Sequence, residues 1–381
     1  MSARLRYASA TLLTVDFTDG RSVPVHPIWL RERCQDPRSM DLKTGQRLHD
    51  PSDLDLDLRI VALQPTAPGS FQVRFSDGHE ARFSEADVLA DAQYPPGFSD
   101  RPEPLLWDGT LRDFPRAQWH THPTDSERTA WLEPFLRYGF LILSGVPTAP
   151  GTVLKAAAAF GFVRDTNFGA LFDVRSVPDA SDLAYTSVLL EPHTDNPYRD
   201  PVPGVQLLHC LVNETSGGLS TLVDGFAAAT ALRQRDRDAF EVLSHTSVRF
   251  CYRDAGTELT ASAAPIDLDI TGALRAIHFS SRLDFVPLSD PQQLQRYYRA
   301  RRRFDQLLRS EEFEIRFLLN QGDLVIFDNC RLLHGRTGFD PAEGLRHLQG
   351  CYIDIDAPRS LYRVLRRRAS TAPAATASPG I

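Results

Sequence analysis

The sequence predicts a mainly β fold with flanking helices: a double-stranded β-helix, or jelly roll, behind a small β-rich N-terminal domain. Three observations carry that prediction. Short alternating or continuously apolar runs outnumber helical patterns. Two hairpin signals, Asp19-Gly20 and Asp77-Gly78, sit inside alternating runs near the N-terminus. Residues with metal-ligand chemistry, His193-Thr-Asp195 and His334, lie far apart in the chain. A closed double sheet brings such distant segments to one mouth.

Each element follows from local pattern. Residues 1–93 form the small domain: 14–25 alternates and breaks at Asp19-Gly20, and 71–83 repeats this around Asp77-Gly78. Residues 94–104, with Tyr94-Pro-Pro-Gly97, read as a linker. Residues 105–368 form the second domain. Helical spacing occupies 127–138, and 139–145 is a buried strand bounded by glycines. An Ala-rich helix covers 152–160. Core strands are expected at 204–211 and 220–223, and helices near 226–235 and 291–308. Strands at 313–318, 324–327 and 347–355 finish the set, and the run 345–352 carries Arg346 into the last of them. The Ala/Ser/Thr/Pro-rich tail, 369–381, is expected to be disordered. No internal repeat is visible.

Composition bounds the function. A chain of 381 residues holds one large domain plus a small one, or two domains. Hydrophobic content of 42% and charged content of 24% are ordinary for a soluble globular protein. No apolar run approaches the roughly 20 residues that cross a bilayer, and the N-terminus lacks a signal-like apolar stretch. The five cysteines are odd in number and scattered, which suits reduced thiols in a cytoplasm. A net charge of −7 argues against a nucleic-acid partner. The arginines of 299–303 and 363–368 read as solvated helix faces. The expected partners are a small-molecule substrate and O₂, with no membrane and no nucleic acid, and the expected assembly is a homodimer.

The split ligand set carries the chemistry. A lone H-x-D is common by chance. Here it is followed, after a long gap, by His334 and, twelve residues on, by Arg346. Two His and one carboxylate on one face of a metal leave three positions open, the facial triad of non-haem Fe(II) oxygenases. The planar fork of an Arg suits the far carboxylate of a dicarboxylate. Together they imply an oxygen-activating iron centre that uses 2-oxoglutarate. His209 and His278, in apolar runs, read as core residues. His347 alternates to the strand face opposite Arg346. Two other readings compete. A non-catalytic small-molecule-binding jelly roll, betaine-binding if the resemblance given below holds, would need neither the triad nor Arg346. A metal-dependent hydrolase or lyase would want a general base beside the metal and no dicarboxylate clamp.

Longer motifs sharpen this. Ile28-Trp-Leu-Arg-Glu-Arg-Cys34, His193-Thr-Asp195, Pro203-Gly-Val-Gln-Leu-Leu-His-Cys210, Gly217-Gly218, Val223-Asp-Gly-Phe226, Phe327-Asp-Asn329 and Arg331-Leu-Leu-His-Gly-Arg336 stand in order along the chain. In these the chain resembles the γ-butyrobetaine and trimethyllysine dioxygenases, a branch of the taurine-dioxygenase-like Fe(II)/2-oxoglutarate enzymes. The resemblance implies iron ligands at His193, Asp195 and His334. It implies 2-oxoglutarate contacts from Arg346 and Thr221. It places Phe168, Phe172, Tyr185 and Tyr352 around a trimethylammonium group, for which ring faces are the natural partners.

The departures from that branch matter too. Where its accessory domain often holds zinc by three Cys and a His, this chain keeps Cys34 and His79 and has Asp36 and Ser39 in place of the other two Cys, so no structural zinc is expected. Where the branch binds a substrate carboxylate with amides, this chain has Asp182 and Ser281. Asn196, Tyr198 and Arg282 are then the replacement polar contacts. The anionic end of the substrate could equally be a phosphonate, as in trimethylammonioethylphosphonate, or an amino acid, as in trimethyllysine.

Overall fold

The computed structural model describes residues 3–92, 102–175 and 187–371. Contacts divide the chain into two units, Met1–Asp100 and Arg101–Ile381. The expected linker, 94–104, lies mostly outside the described residues.

In the N-terminal unit both Asp-Gly signals form hairpins. Strand Leu12–Phe17 pairs with Ser22–Pro24 around Gly20, and Ser70–Phe75 pairs with Glu80–Ser84 around Gly78. Each glycine has positive φ, +88° and +83°, where a Cβ would be strained. Alternation buries Phe71, Val73 and Phe75 on one face, and Phe71 stacks on Phe83 at 5.4 Å. Helix Pro27–Arg31 delivers Cys34 to the same core. Beside it, His79 Nε2 donates to Asp36 Oδ2 at 2.8 Å, with Ser39 Oγ at 3.3 Å. Ligand atoms of Cys34, Asp36 and His79 lie within 4.8 Å of one another. The second hydrogen-bonding position at Ser39 is a hydroxyl, a poor fourth ligand beside thiolate or imidazole.

The second unit is a jelly roll of two facing sheets. The larger has strand order Val163–Arg164, Arg346–Ile353, Val205–Asn213, Leu324–Asp328, Phe140–Ser144 and Arg116–Gln118, with Phe172–Arg175 also paired to Arg346–Ile353. The smaller runs Leu190–His193, Leu332–Arg336, Ser220–Asp224 and Glu314–Phe317. Both faces of each sheet are covered, which explains the continuous apolar runs. Phe140, Ile142, Val325, Phe327, Leu222 and Leu332 point between the sheets. Their neighbours Leu141, Leu143, Leu324 and Ile326 pack outward with Trp131 and Phe135 of helix Asp125–Tyr138. Val223 and Leu333 pack outward with helices Gly225–Arg235, Arg237–His245 and Pro291–Leu308.

Several elements differ from expectation, three of them in ways that bear on the site or the chain's end. Arg237–His245 is a separate helix, because Asp236 ends the preceding helix and caps this one through Ala239 N. His334 sits inside strand Leu332–Arg336, whose His-Gly-Arg end masks a strand signal. Helix Asp356–Thr371 runs into the expected tail, taking in 369–371; the rest of that tail lies outside the described residues.

One buried ion pair joins several elements. Arg331 meets Asp224 through two bonds, Nη2 to Oδ2 at 2.6 Å and Nε to Oδ1 at 3.1 Å. Their side chains are 4% and 0% exposed. Asp224 also accepts from Phe226 N and Trp107 N, and Arg331 donates to the carbonyls of Arg137 and Leu105. Asp224→Ala strands the guanidinium and should destabilise this unit by about 3–5 kcal/mol. Urea unfolding followed by the fluorescence of Trp107, Trp119 and Trp131 measures it. A loss below about 1 kcal/mol would show that the pair is not what holds these elements together.

Candidate active site

The site begins with strand pairing. His193 lies directly opposite His334 across two antiparallel strands, and their ring centroids are 4.4 Å apart. His193 Nδ1 is 2.8 Å from the Glu191 carbonyl and donates to it, which leaves Nε2 as the free lone pair. The chain then turns inward. Thr194 is pinned to Phe279 through both backbone groups, Thr194 N to Phe279 O at 2.8 Å and Phe279 N to Thr194 Oγ1 at 3.0 Å. Asn329 clamps Asp195: its Oδ1 accepts from Asp195 N and its Nδ2 donates to Asp195 O. Asn196 takes φ of +54°, a left-handed turn that Asn tolerates.

The result is a compact ligand set. Asp195 Oδ1 is 3.4 Å from His193 Nε2 and 3.8 Å from His334 Nε2, and the three ligand atoms lie within 4.8 Å of one another. Ligands at about 2.1 Å from one ion have such separations. Asp195 Oδ2 accepts from the Tyr352 hydroxyl at 2.7 Å. Burial works against the Asp195 charge, but the two imidazoles and Tyr352 hold its carboxyl well below the usual range. Burial, His193 and Arg282 push His334 down to about 3, so it is a neutral ligand at physiological pH. Burial and Asp195 keep the Tyr352 phenol well above its ordinary range, hence a donor.

A cavity of about 150 Å³ opens on this set. Arg346 lines it at 6% exposure with Nε unpartnered, and Arg336 lines it too. Among the described residues no carboxylate pairs with Arg346. Burial lowers both guanidiniums, Arg336 to about 10, and both stay charged. A buried cation without a counter-ion fits an anionic ligand. At the other side stand rings: Phe172 lies 5.2 Å from Tyr352, Phe168 5.6 Å from Tyr252, and Tyr252 stacks on Tyr198 at 5.1 Å.

Of the residues expected from sequence, His193, Asp195, His334, Arg346, Phe168, Phe172, Asn196, Tyr198, Arg282 and Tyr352 all line this cavity. Asp182 and Tyr185 lie outside the described residues. Two expectations need correction. Thr221 pairs with Gly335, between Ser220 and Leu222, which pair with Arg336 and His334. Period-two alternation therefore turns it to the outer sheet face. A Cβ on Gly335 would come within 2.8 Å of its hydroxyl, as expected for that face. Ser220 is the hydroxyl that lines the cavity. Likewise Ser281 is exposed, while Ser280 is 1% exposed, lines the cavity and has an unpartnered hydroxyl. Gln206 and Tyr252 also line it. Alternation from Leu222 back to Ser220, and from Phe250 on to Tyr252, was the signal for two of these four.

Residues 110–352 match the taurine catabolism dioxygenase TauD, TfdA family. The chain belongs to that family. Residues 5–89 match the gamma-butyrobetaine hydroxylase-like N-terminal domain. The chain is 37% identical to the gamma-butyrobetaine dioxygenase of Pseudomonas sp. (strain AK-1), over 94% of each chain. It is 36% identical to that of Homo sapiens over 64% of each chain. It is 29% identical to the mitochondrial trimethyllysine dioxygenase of Rattus norvegicus, over 95% of this chain and 85% of the other. The protein is thus an Fe(II)- and 2-oxoglutarate-dependent dioxygenase of the γ-butyrobetaine branch. No helix among the described residues is long and apolar enough to cross a membrane.

The face assignment gives a test within one strand. Ser220→Val removes the cavity hydroxyl and should raise the 2-oxoglutarate KM about tenfold, the value of one bond to a charged group. Thr221→Val should leave that KM within about twofold. Steady-state succinate assays on both variants decide it, and the reverse order would put Thr221 on the inner face.

Proposed function

We propose that His193 Nε2, Asp195 Oδ1 and His334 Nε2 hold the iron, and that Arg346 grips the distal carboxylate of 2-oxoglutarate, helped by Ser220. The supporting observation is one cavity that carries a three-atom ligand set and a buried, unpaired guanidinium. Iron, 2-oxoglutarate and O₂ supply an oxidant able to hydroxylate an unactivated C–H bond, with succinate and CO₂ as co-products. The protein's part is to leave coordination positions open, orient the substrate and exclude water.

The substrate of this reading is a small quaternary-ammonium zwitterion of the γ-butyrobetaine type. The rings of Phe168, Phe172, Tyr198, Tyr252 and Tyr352 offer faces to a cation that cannot donate hydrogen bonds. Asn196 Nδ2 and Ser280 Oγ are buried and unpartnered, and Arg282 stands at the rim. These groups suit the anionic end, be it carboxylate or phosphonate. Identity to named γ-butyrobetaine dioxygenases favours the carboxylate. The remaining proposals are a homodimer, read by light scattering, and a cytoplasmic setting, which the five free cysteines favour. A zinc-free N-terminal unit is favoured by its donor set, one thiol, one imidazole and one carboxylate beside the Ser39 hydroxyl, which is poor for a closed zinc site. Metal analysis of the purified protein should find iron-type stoichiometry and no tightly held zinc.

Two measurements test the main reading. Arg346→Lys keeps charge but loses the fork, so the 2-oxoglutarate KM should rise roughly 10- to 100-fold, about 1.4–2.8 kcal/mol. An unchanged KM would assign the grip to another residue, with Arg336 first in line. In a panel of γ-butyrobetaine, trimethyllysine, trimethylammonioethylphosphonate and their primary amines, trimethylated compounds should lead by at least about tenfold in kcat/KM. If the primary amines win, the rings are only packing.

A further inference from the structure

Asp195 divides its two oxygens between different neighbours. Oδ1 faces both imidazoles, at 3.4 and 3.8 Å. Oδ2 accepts from the Tyr352 hydroxyl at 2.7 Å. A carboxylate can bind a metal through one oxygen or both. A phenol on Oδ2 takes up one of that oxygen's two lone pairs and draws its charge, which makes Oδ2 the weaker donor to a metal. It therefore favours one-oxygen coordination and keeps a further metal position open.

The same side chain has a second duty. Its ring lies 5.2 Å from that of Phe172, tilted by 31°. The space for this contact comes from Gly350, on the same strand as Tyr352. A Cβ there would stand 2.5 Å from Phe172 Cε2. Gln206 is paired opposite Tyr352 on the neighbouring strand and lines the same cavity. Tyr352 is thus held through its ring, and whatever presses on that ring bears on the carboxylate through one rigid phenol.

We propose that Tyr352 is a positioning residue that couples the two halves of the site: its hydroxyl fixes Asp195 as a one-oxygen ligand while its ring forms a wall of the ammonium box. The second half rests on the substrate reading above; the first does not. Loading the box then biases the iron ligand through the Tyr352 side chain itself.

Three variants of the full-length protein test this, with Co(II) as a spectroscopic probe in place of iron. Titrations are run with 2-oxoglutarate, with and without γ-butyrobetaine. Tyr352→Phe keeps the ring and should weaken Co(II) binding roughly 10- to 100-fold, the usual effect of losing a partner of a metal ligand. Its visible spectrum should change as Asp195 engages through both oxygens, while the γ-butyrobetaine KM moves less than about threefold. Phe172→Leu keeps the hydroxyl, so Co(II) affinity without γ-butyrobetaine should stay at the wild-type value, while that KM rises and the shift that γ-butyrobetaine causes in the wild-type Co(II) spectrum shrinks. Tyr352→Leu should lose both. Wild-type Co(II) affinity and spectrum in Tyr352→Phe would overturn the positioning role. If γ-butyrobetaine leaves the wild-type Co(II) spectrum unchanged while the Leu variants still raise its KM, the coupling is refuted and the ammonium reading stands; if neither Leu variant alters that KM, the ammonium reading fails and only the hydroxyl role is left to be judged by Tyr352→Phe.

Discussion

The direct pairing of His193 with His334 across two antiparallel strands is the constraint from which the site is built. Residues that face each other in such a ladder share a sheet face, and here that face looks into the jelly roll. The two imidazoles are therefore brought together by backbone hydrogen bonds rather than by side-chain packing. The third ligand cannot come from the same ladder. Asp195 reaches the metal position because the chain leaves the strand at once, turns through the left-handed Asn196 and is clamped by Asn329. Phe327, whose ring lies 4.9 Å from His334, closes the inner side.

Around that centre the charges are segregated. Arg336 and Arg346 lie on one side, with Phe339 at 5.0 and 5.7 Å from their guanidinium carbons. Such cation–ring contact eases desolvation, and for Arg346 no carboxylate among the described residues adds a counter-charge. Among the described residues the rings of Phe168, Phe172, Tyr198, Tyr252 and Tyr352 line the same cavity, with Arg282 exposed at its rim. In the proposed reading that arrangement suits an anionic cosubstrate at the arginines and a cationic substrate head among the rings.

Much of this was legible in the sequence, and the reasons are local. The apolar runs of 139–145 and 324–327 marked central strands because both faces of those strands are covered. The triad and Arg346 were legible because their chemistry is rare in that order. The side of a strand was harder to read. Thr221 and Ser220 both carry hydroxyls, and a one-residue error changes the face. The segment holding Tyr252 and Ser280 was least legible. It consists of short strands, Val248–Arg253, Glu258–Ala263 and Leu274–Ile277, whose polar residues carry no motif. Their return to Thr194 through Phe279, with the stacking of Tyr252 on Tyr198, brings them to the cavity.

The Asp224–Arg331 pair has a consequence for how this chain can change over time. The carboxylate serves the guanidinium, a helix cap and the Trp107 backbone at once. Two apolar residues of matching volume could be equally stable there. Yet either single replacement leaves a buried charge stranded, so the route to that alternative crosses a valley. Drift at one position is blocked until the other has already moved. Pairs of this kind can persist through lineage divergence because the intermediate is unfit, even where the pair itself is not the best solution.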